Sequence, residues 1–194
     1  MKTRALVVVD FQNDFCPGGA LPVPEGDEIA DTLNSYIERF TEKGLPVFAS
    51  KDWHPAQTSH FKEYGGIWPP HCVMGTKGAE FHPALRLPED AIILLKGDRE
   101  DEDAYSVFQA HTEDGRPFKK VLEDMSIEHL YVGGLATDYC VKATVLDALK
   151  EGFRVTLLLD AIKGVDVEEG DSERAIEEMR QNGAETITID GLVL

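Results

Sequence analysis

Short apolar runs alternate along this chain with longer stretches in which apolar side chains return every three or four residues. Ala5-Leu6-Val7-Val8-Val9 is the first run, β-branched and unbroken by polar residues, which predicts a strand buried on both faces and ending at Asp10. Pro46-Val47-Phe48-Ala49-Ser50 predicts a second strand leading to Asp52, and Ala91-Ile92-Ile93-Leu94-Leu95 a third ending at Lys96. Residues 129–133, 154–159 and 185–189 bring the expectation to six strands. Helical periodicity covers residues 25–43, 118–125, the segment after Gly134, and 167–182. In the first of these Ile29, Leu33, Tyr36, Ile37 and Phe40 share a face, and Gly44 is the stop. Strands alternating with helices predict an α/β fold, a three-layer α/β/α sandwich with a six-stranded, mostly parallel, doubly wound sheet, in a single domain over residues 1–194.

Two segments depart from this rhythm. From Asp52 to about Pro88 the chain is irregular and rich in Pro, Gly, His and Trp, and a stretch of that length without regular structure is where a binding site is expected. The other departure is Gly133-Gly134-Leu135-Ala136-Thr137-Asp138-Tyr139-Cys140, a strand end turning tightly into a helix whose Val141, Val145, Ala148 and Leu149 share one face. With Thr137 as N-cap, Cys140 falls in the first turn, where free N–H groups and the helix dipole favour a thiolate.

The sheet then gathers distant residues. Asp10 and Lys96 stand at the carboxyl ends of strands and Cys140 just past another, and open α/β sheets bind ligands at those ends. A carboxylate can take the thiol proton, an ammonium offsets two anions held close together, and N–H donors of the turn can hold an oxyanion. Taken singly, each residue also fits a structural role: Asp10 a turn, Lys96 a surface charge, Cys140 a small buried hydrophobe.

Asp52 and His54, two apart in extended backbone, project to one side, and His60 and His71 follow. A carboxylate with two or three imidazoles suits one divalent metal ion, Zn²⁺ or alternatively Mn²⁺ or Fe²⁺, with Cys72 as an outside soft ligand. Phe15, Trp53, Trp68 and Tyr105 are able to wall a flat aromatic substrate, or to serve as core.

Composition narrows the partners. The net charge of −17 repels phosphate backbones and anionic membranes, so neither nucleic acid nor membrane is an expected partner. No apolar run approaches the ~18 to 20 residues of a membrane span, and the start Met1-Lys2-Thr3-Arg4 leads into a run too short for a signal peptide, so a cytoplasmic location is expected. Three cysteines without dense spacing imply reduced thiols. The acidic run over residues 98–103 lacks the pattern of an EF-hand loop and reads as a solvated loop. The sequence is silent on oligomeric state and compatible with a homo-oligomer.

Several motifs then combine: Val9-Asp10-Phe11-Gln12-Asn13-Asp14-Phe15, Gly18-Gly19-Ala20-Leu21, Lys51-Asp52-Trp53-His54-Pro55, Trp68-Pro69-Pro70-His71-Cys72, Lys96-Gly97, Tyr105-Ser106-Val107-Phe108 and Gly134-Leu135-Ala136-Thr137-Asp138-Tyr139-Cys140-Val141. In these the chain resembles the nicotinamidases of the isochorismatase-like cysteine hydrolases. The resemblance implies Cys140 as nucleophile, Asp10 as its base and Lys96 as their electrostatic support, with Asp52, His54 and His71 as metal ligands and His60 a further one. It also implies Phe15 and Trp68 as an aromatic clamp on a pyridine ring, Leu21, Tyr105 and Leu135 as further substrate contacts, backbone N–H groups of Ala136 and Cys140 as oxyanion donors, and a cis peptide between Leu135 and Ala136. The implied reaction is hydrolysis of nicotinamide, and of pyrazinamide, through a cysteinyl thioester. Two other readings are a related amidase on another small carboxamide and a non-catalytic binding or thiol-sensing protein. The segment Phe61 to Ile67 is shorter than the resemblance leads one to expect, and the acidic run after Gly97 is unusually charged.

Overall fold

The computed structural model describes residues 3–194; Met1 and Lys2, part of the start read above as carrying no signal peptide, lie outside the described residues. Seven strands form one sheet: β1 (Arg4–Val9), β2 (Val47–Asp52), β3 (Ile92–Lys96), β4 (His111–Thr112), β5 (His129–Leu135), β6 (Arg154–Lys163) and β7 (Glu185–Ile187), in the order β4-β3-β2-β1-β5-β6-β7. All neighbours pair in parallel except β3 with β4. The expectation of six strands missed β4, a two-residue antiparallel edge too short to carry a periodic signal.

The apolar runs separate by parity into two cores. Ala5, Val7 and Val9 of β1 join Phe48, Leu94 and Val132 in one buried cluster with residues of α2 (Phe118–Asp124), α3 (Lys142–Lys150) and α4 (Asp171–Gln181). Leu6 and Val8 point the other way, to Leu33, Tyr36, Ile37 and Phe40 of α1 (Ala30–Glu42). Both faces of β1 are therefore dry, which is why its sequence shows no polar alternation. The helix expected over residues 25–43 begins with a 3₁₀ turn, Gly26–Ile29, before α1, and the one expected from residue 167 begins at Asp171. Among the described residues no helix is long and apolar enough to cross a membrane.

Strand order sets the place of the site. From β1 the chain winds outward through β2 and β3, then returns to lay β5 on the other side of β1. That reversal opens a crevice at the carboxyl ends of β1 and β5, the switch point where doubly wound sheets bind ligands. Register fixes what reaches it: Val9 pairs with Gly134, and Asp52 with Lys96.

Candidate active site

Asp10 leaves β1 with a positive φ of 46°, a conformation that Asp tolerates better than most residues. Its Oδ1 accepts a hydrogen bond from Ser50 Oγ at 2.7 Å, and its Oδ2 lies 2.8 Å from Lys96 Nζ without receiving an aligned hydrogen bond from it. An acceptor is thus left over in a fully buried carboxylate. Lys96, equally buried, also donates to Asp52 Oδ1 and to Ala104 O at 3.0 Å, and its Nζ is 3.5 Å from Cys140 Sγ. Carboxylate, ammonium and thiol meet as predicted.

Their local chain explains the meeting. Gly134 has φ 116°, and a Cβ there would lie 2.2 Å from Val9 O, so only glycine lets β5 run this close to β1 beside Asp10. The Leu135–Ala136 peptide is cis, as implied. Thr137 is not the N-cap. Ala136 holds that place with extended backbone, and its carbonyl accepts from both Tyr139 N and Val141 N at 3.1 Å, opening Thr137–Val141 into a wide π turn that leads into α3. Such turns recur at functional sites. Thr144 Oγ1 clamps the turn by donating to Cys140 O at 2.7 Å and accepting from Val107 N at 3.0 Å. The Ala136 N–H has no backbone acceptor among the described residues.

Acidity follows from burial and charge. Burial pushes the Cys140 thiol well above its ordinary range, and the opposing pull of Lys96 is countered by Asp10 and Asp52. This shift runs against the thiolate-favouring pull expected of a helix N-terminus. Burial likewise raises Asp10 against the pull of Lys96, which makes it a stronger proton acceptor than a free carboxylate. For Lys96 burial works against the charge, but Asp10 and Asp52 outweigh it and hold the ammonium protonated.

Beside this cluster lie three imidazoles. His54, His60 and His71 are buried and offer ring nitrogens within 4.8 Å of one another. His54 Nδ1 donates to Gly97 O at 2.9 Å and His71 Nδ1 to Pro69 O at 2.8 Å; a carbonyl only accepts, so in the neutral tautomer this fixes, each Nε2 carries the lone pair. His60 Nδ1 is held in the same way by the Asp103 carboxylate. Gly97 permits the His54 contact, since a Cβ there would stand 2.6 Å from the ring. His54 Nε2 is a buried nitrogen with no hydrogen-bond partner, and Asp52 Oδ2 approaches His54 and His71 Nε2 at 3.5 and 3.7 Å. Lone pairs facing one another and a carboxylate are a poor arrangement unless a cation joins them. The donor set fits a divalent metal ion. Cys72 falls outside both donor groups; its thiol is buried in the α1-side core.

The cavity between the clusters is lined by Phe15, Leu21, Trp68, Tyr105, Leu135 and Tyr139 around Asp52, His60, His71, Ala136 and Cys140. Trp68 Nε1 donates to Tyr105 OH at 2.8 Å and its ring meets Tyr139 edge-on, so the aromatic wall is braced. Trp53 is not among the lining residues and packs under Lys51 instead. Sequence reasoning missed Ser50, Gln12 and Tyr139. Gln12 grips the Asp52 backbone, donating to its carbonyl at 2.8 Å and accepting from its N–H at 2.9 Å. A polar residue inside an apolar strand was the available signal for Ser50.

Known proteins similar to this chain fall in one family. A model of the isochorismatase domain family matches residues 4–191. The nicotinamidase of Escherichia coli (strain K12) is 42% identical over 208 aligned residues, covering 97% of this chain and 96% of that protein. The pyrazinamidase of Pyrococcus horikoshii, solved in complex with zinc, superposes with a TM-score of 0.89 at 49% identity, covering 96% of this chain and 99% of that one. A protein of L. infantum solved in complex with nicotinate does so with a TM-score of 0.86 at 32% identity, covering 99% and 96%.

Proposed function

The chain belongs to the isochorismatase family, and from that premise we propose that it is a metal-dependent cysteine amidohydrolase converting nicotinamide to nicotinate and ammonia, with pyrazinamide as a second substrate. One observation carries the reading: Cys140 with its Asp10–Lys96 partners opens on the same small aromatic cavity as Asp52, His60 and His71. No lysine or arginine is among the residues lining that cavity. A neutral carboxamide enters such a site without an unpaired charge, whereas a substrate carrying carboxylates finds no basic side chain there.

The chain's own groups account for each step. Asp10 takes the Cys140 proton as sulfur attacks the carboxamide carbon. The oxyanion is received by the backbone N–H groups of Ala136 and Cys140. Asp10 returns the proton to nitrogen, ammonia leaves, and a thioester remains. Water, deprotonated by Asp10, then releases the acid and restores the thiol. Lys96 stays protonated throughout, offsetting Asp10, Asp52 and the developing sulfur charge. Asp52, His54, His71 and His60 would hold the metal, with Zn²⁺, Mn²⁺ and Fe²⁺ all compatible with the donors; when bound it supplies a Lewis acid for the ring nitrogen. Phe15 and Trp68 sandwich the ring, and Leu21, Tyr105 and Leu135 bound it. Three free, buried cysteines accord with a reducing cytoplasmic setting.

The test is ammonia release from a carboxamide panel by protein purified without a chelating column. Nicotinamide and pyrazinamide should be hydrolysed, and benzamide, the same shape without the ring nitrogen, should be poor. Equal rates for benzamide and nicotinamide would show that the imidazole cluster does not read the ring.

A further inference from the structure

The acidic run over residues 98–103 is more than a solvated loop, because its backbone and one of its carboxylates engage the imidazole half of the site, and the residue that follows it engages Lys96. Ser59 N donates to Glu100 O at 2.8 Å, which ties the run to the segment carrying His60. Asp103 accepts from His60 Nδ1 although its own side chain is 61% exposed. Its backbone is pinned in turn, since Gln109 Nε2 donates to Asp103 O at 3.2 Å and Tyr105 N donates to Gln109 Oε1 at 3.2 Å. One residue further on, Ala104 O accepts from Lys96.

The three imidazoles are oriented by unlike partners. His54 and His71 lean on backbone carbonyls, Gly97 and Pro69, that no side-chain substitution removes. Only His60 among them leans on a side chain. A carboxylate on Nδ1 fixes the ring, commits the Nε2 lone pair and makes that nitrogen more basic. Resting on the metal-site reading above, we propose that Asp103 is a positioning residue that recruits His60 as the third imidazole of the metal site.

The experiment is a double-mutant cycle on the purified protein, with Zn²⁺ affinity read by chelator competition and Co²⁺ coordination by its visible spectrum. Asp103→Ala should weaken Zn²⁺ binding about 10–100-fold and shift the Co²⁺ spectrum toward that of His60→Ala. Asp103→Glu should restore part of both. The double variant should bind no more weakly than His60→Ala alone, because Asp103 acts only through that ring. Wild-type affinity and spectrum in Asp103→Ala, beside a weakened His60→Ala, would overturn the positioning role. Wild-type metal binding by His60→Ala would overturn it together with the place of His60 among the ligands. His54→Ala separates that failure from a failure of the whole metal site, since loss of Zn²⁺ there leaves the site standing.

Discussion

The two halves of the carboxyl-end site are built on opposite electrostatic plans. In the Asp10–Lys96–Asp52 half, every buried charge has a partner inside the protein: Lys96 touches both carboxylates, and Ser50 donates to Asp10. In the imidazole half, each ring is oriented from behind while its other nitrogen is left facing its neighbours, and His54 Nε2 has no hydrogen-bond partner. One half is complete in charge without a ligand, although Asp10 Oδ2 still lacks an aligned hydrogen bond; the other is complete only around a cation. Asp52 belongs to both, offering Oδ1 to the ammonium and Oδ2 to the imidazoles. Under the proposed function the first half carries the chemistry and the second captures the substrate.

The largest effect should come from taking the reacting atom out of the complete half. Cys140→Ala should lower ammonia release about 10⁴-fold or more while leaving bound metal unchanged by elemental analysis. His54→Ala should do the reverse in emphasis, losing metal and raising KM while Cys140 still reacts with a small alkylating agent. Metal loss in both, or in neither, would merge the two halves into one.

Removing Lys96 sharpens the comparison from the stability side. Lys96→Met leaves Asp10 and Asp52 buried without their cation, which should cost about 3–5 kcal/mol in urea unfolding. A loss under about 1 kcal/mol, the scale of an exposed pair, would mean that the cluster is wetter than its burial implies.

How much of this was legible depended on whether a residue's signal was local. Asp10 and Lys96 could be placed because each ends an unbroken apolar run, and Asp52 because it closes the strand that such a run opens; the sheet brings such ends together whatever their separation in sequence. Cys140 was visible for the same reason. The upward shift of its pKa was not, because that is set by burial and by the charges of Lys96, Asp10 and Asp52, none of which lies near it in sequence. Thr137 misled as an N-cap because residue type cannot reveal that the Ala136 carbonyl takes two N–H donors and widens the turn. Asp103 sits in a run whose composition says only that it is charged; its meeting with His60 across the chain is a tertiary fact. The metal set and the pocket were read through family resemblance more than through spacing, which is loose for histidines on loops.

The smallest effect lies at the opposite end of the sheet, a control on the active-site account. His129, at the start of β5, stacks on Tyr131 and bonds Thr156 Oγ1 at 2.8 Å; burial, and then the nearby Arg154 charge, lower it to about 4. The unfolded chain binds this proton from pH ~6.5 downward and the folded one does not until about 4, so stability falls as pH drops through that window. His129→Gln should remove up to about 3 kcal/mol of that acid-induced loss and leave kcat at neutral pH unchanged, as read by urea midpoints at several pH values.

The central claim is that acyl transfer runs through a Cys140 thioester in the complete half of the site. It is tested most directly by partitioning with hydroxylamine, which competes with water for an acyl intermediate. Nicotinamide and methyl nicotinate should give the same ratio of hydroxamate to nicotinate at a given hydroxylamine concentration, since both pass through one nicotinoyl-Cys140 species, and Cys140→Ala should give neither product. Ratios that differ between amide and ester, or hydrolysis without any hydroxamate, would contradict the thioester and return the chemistry to direct attack by water.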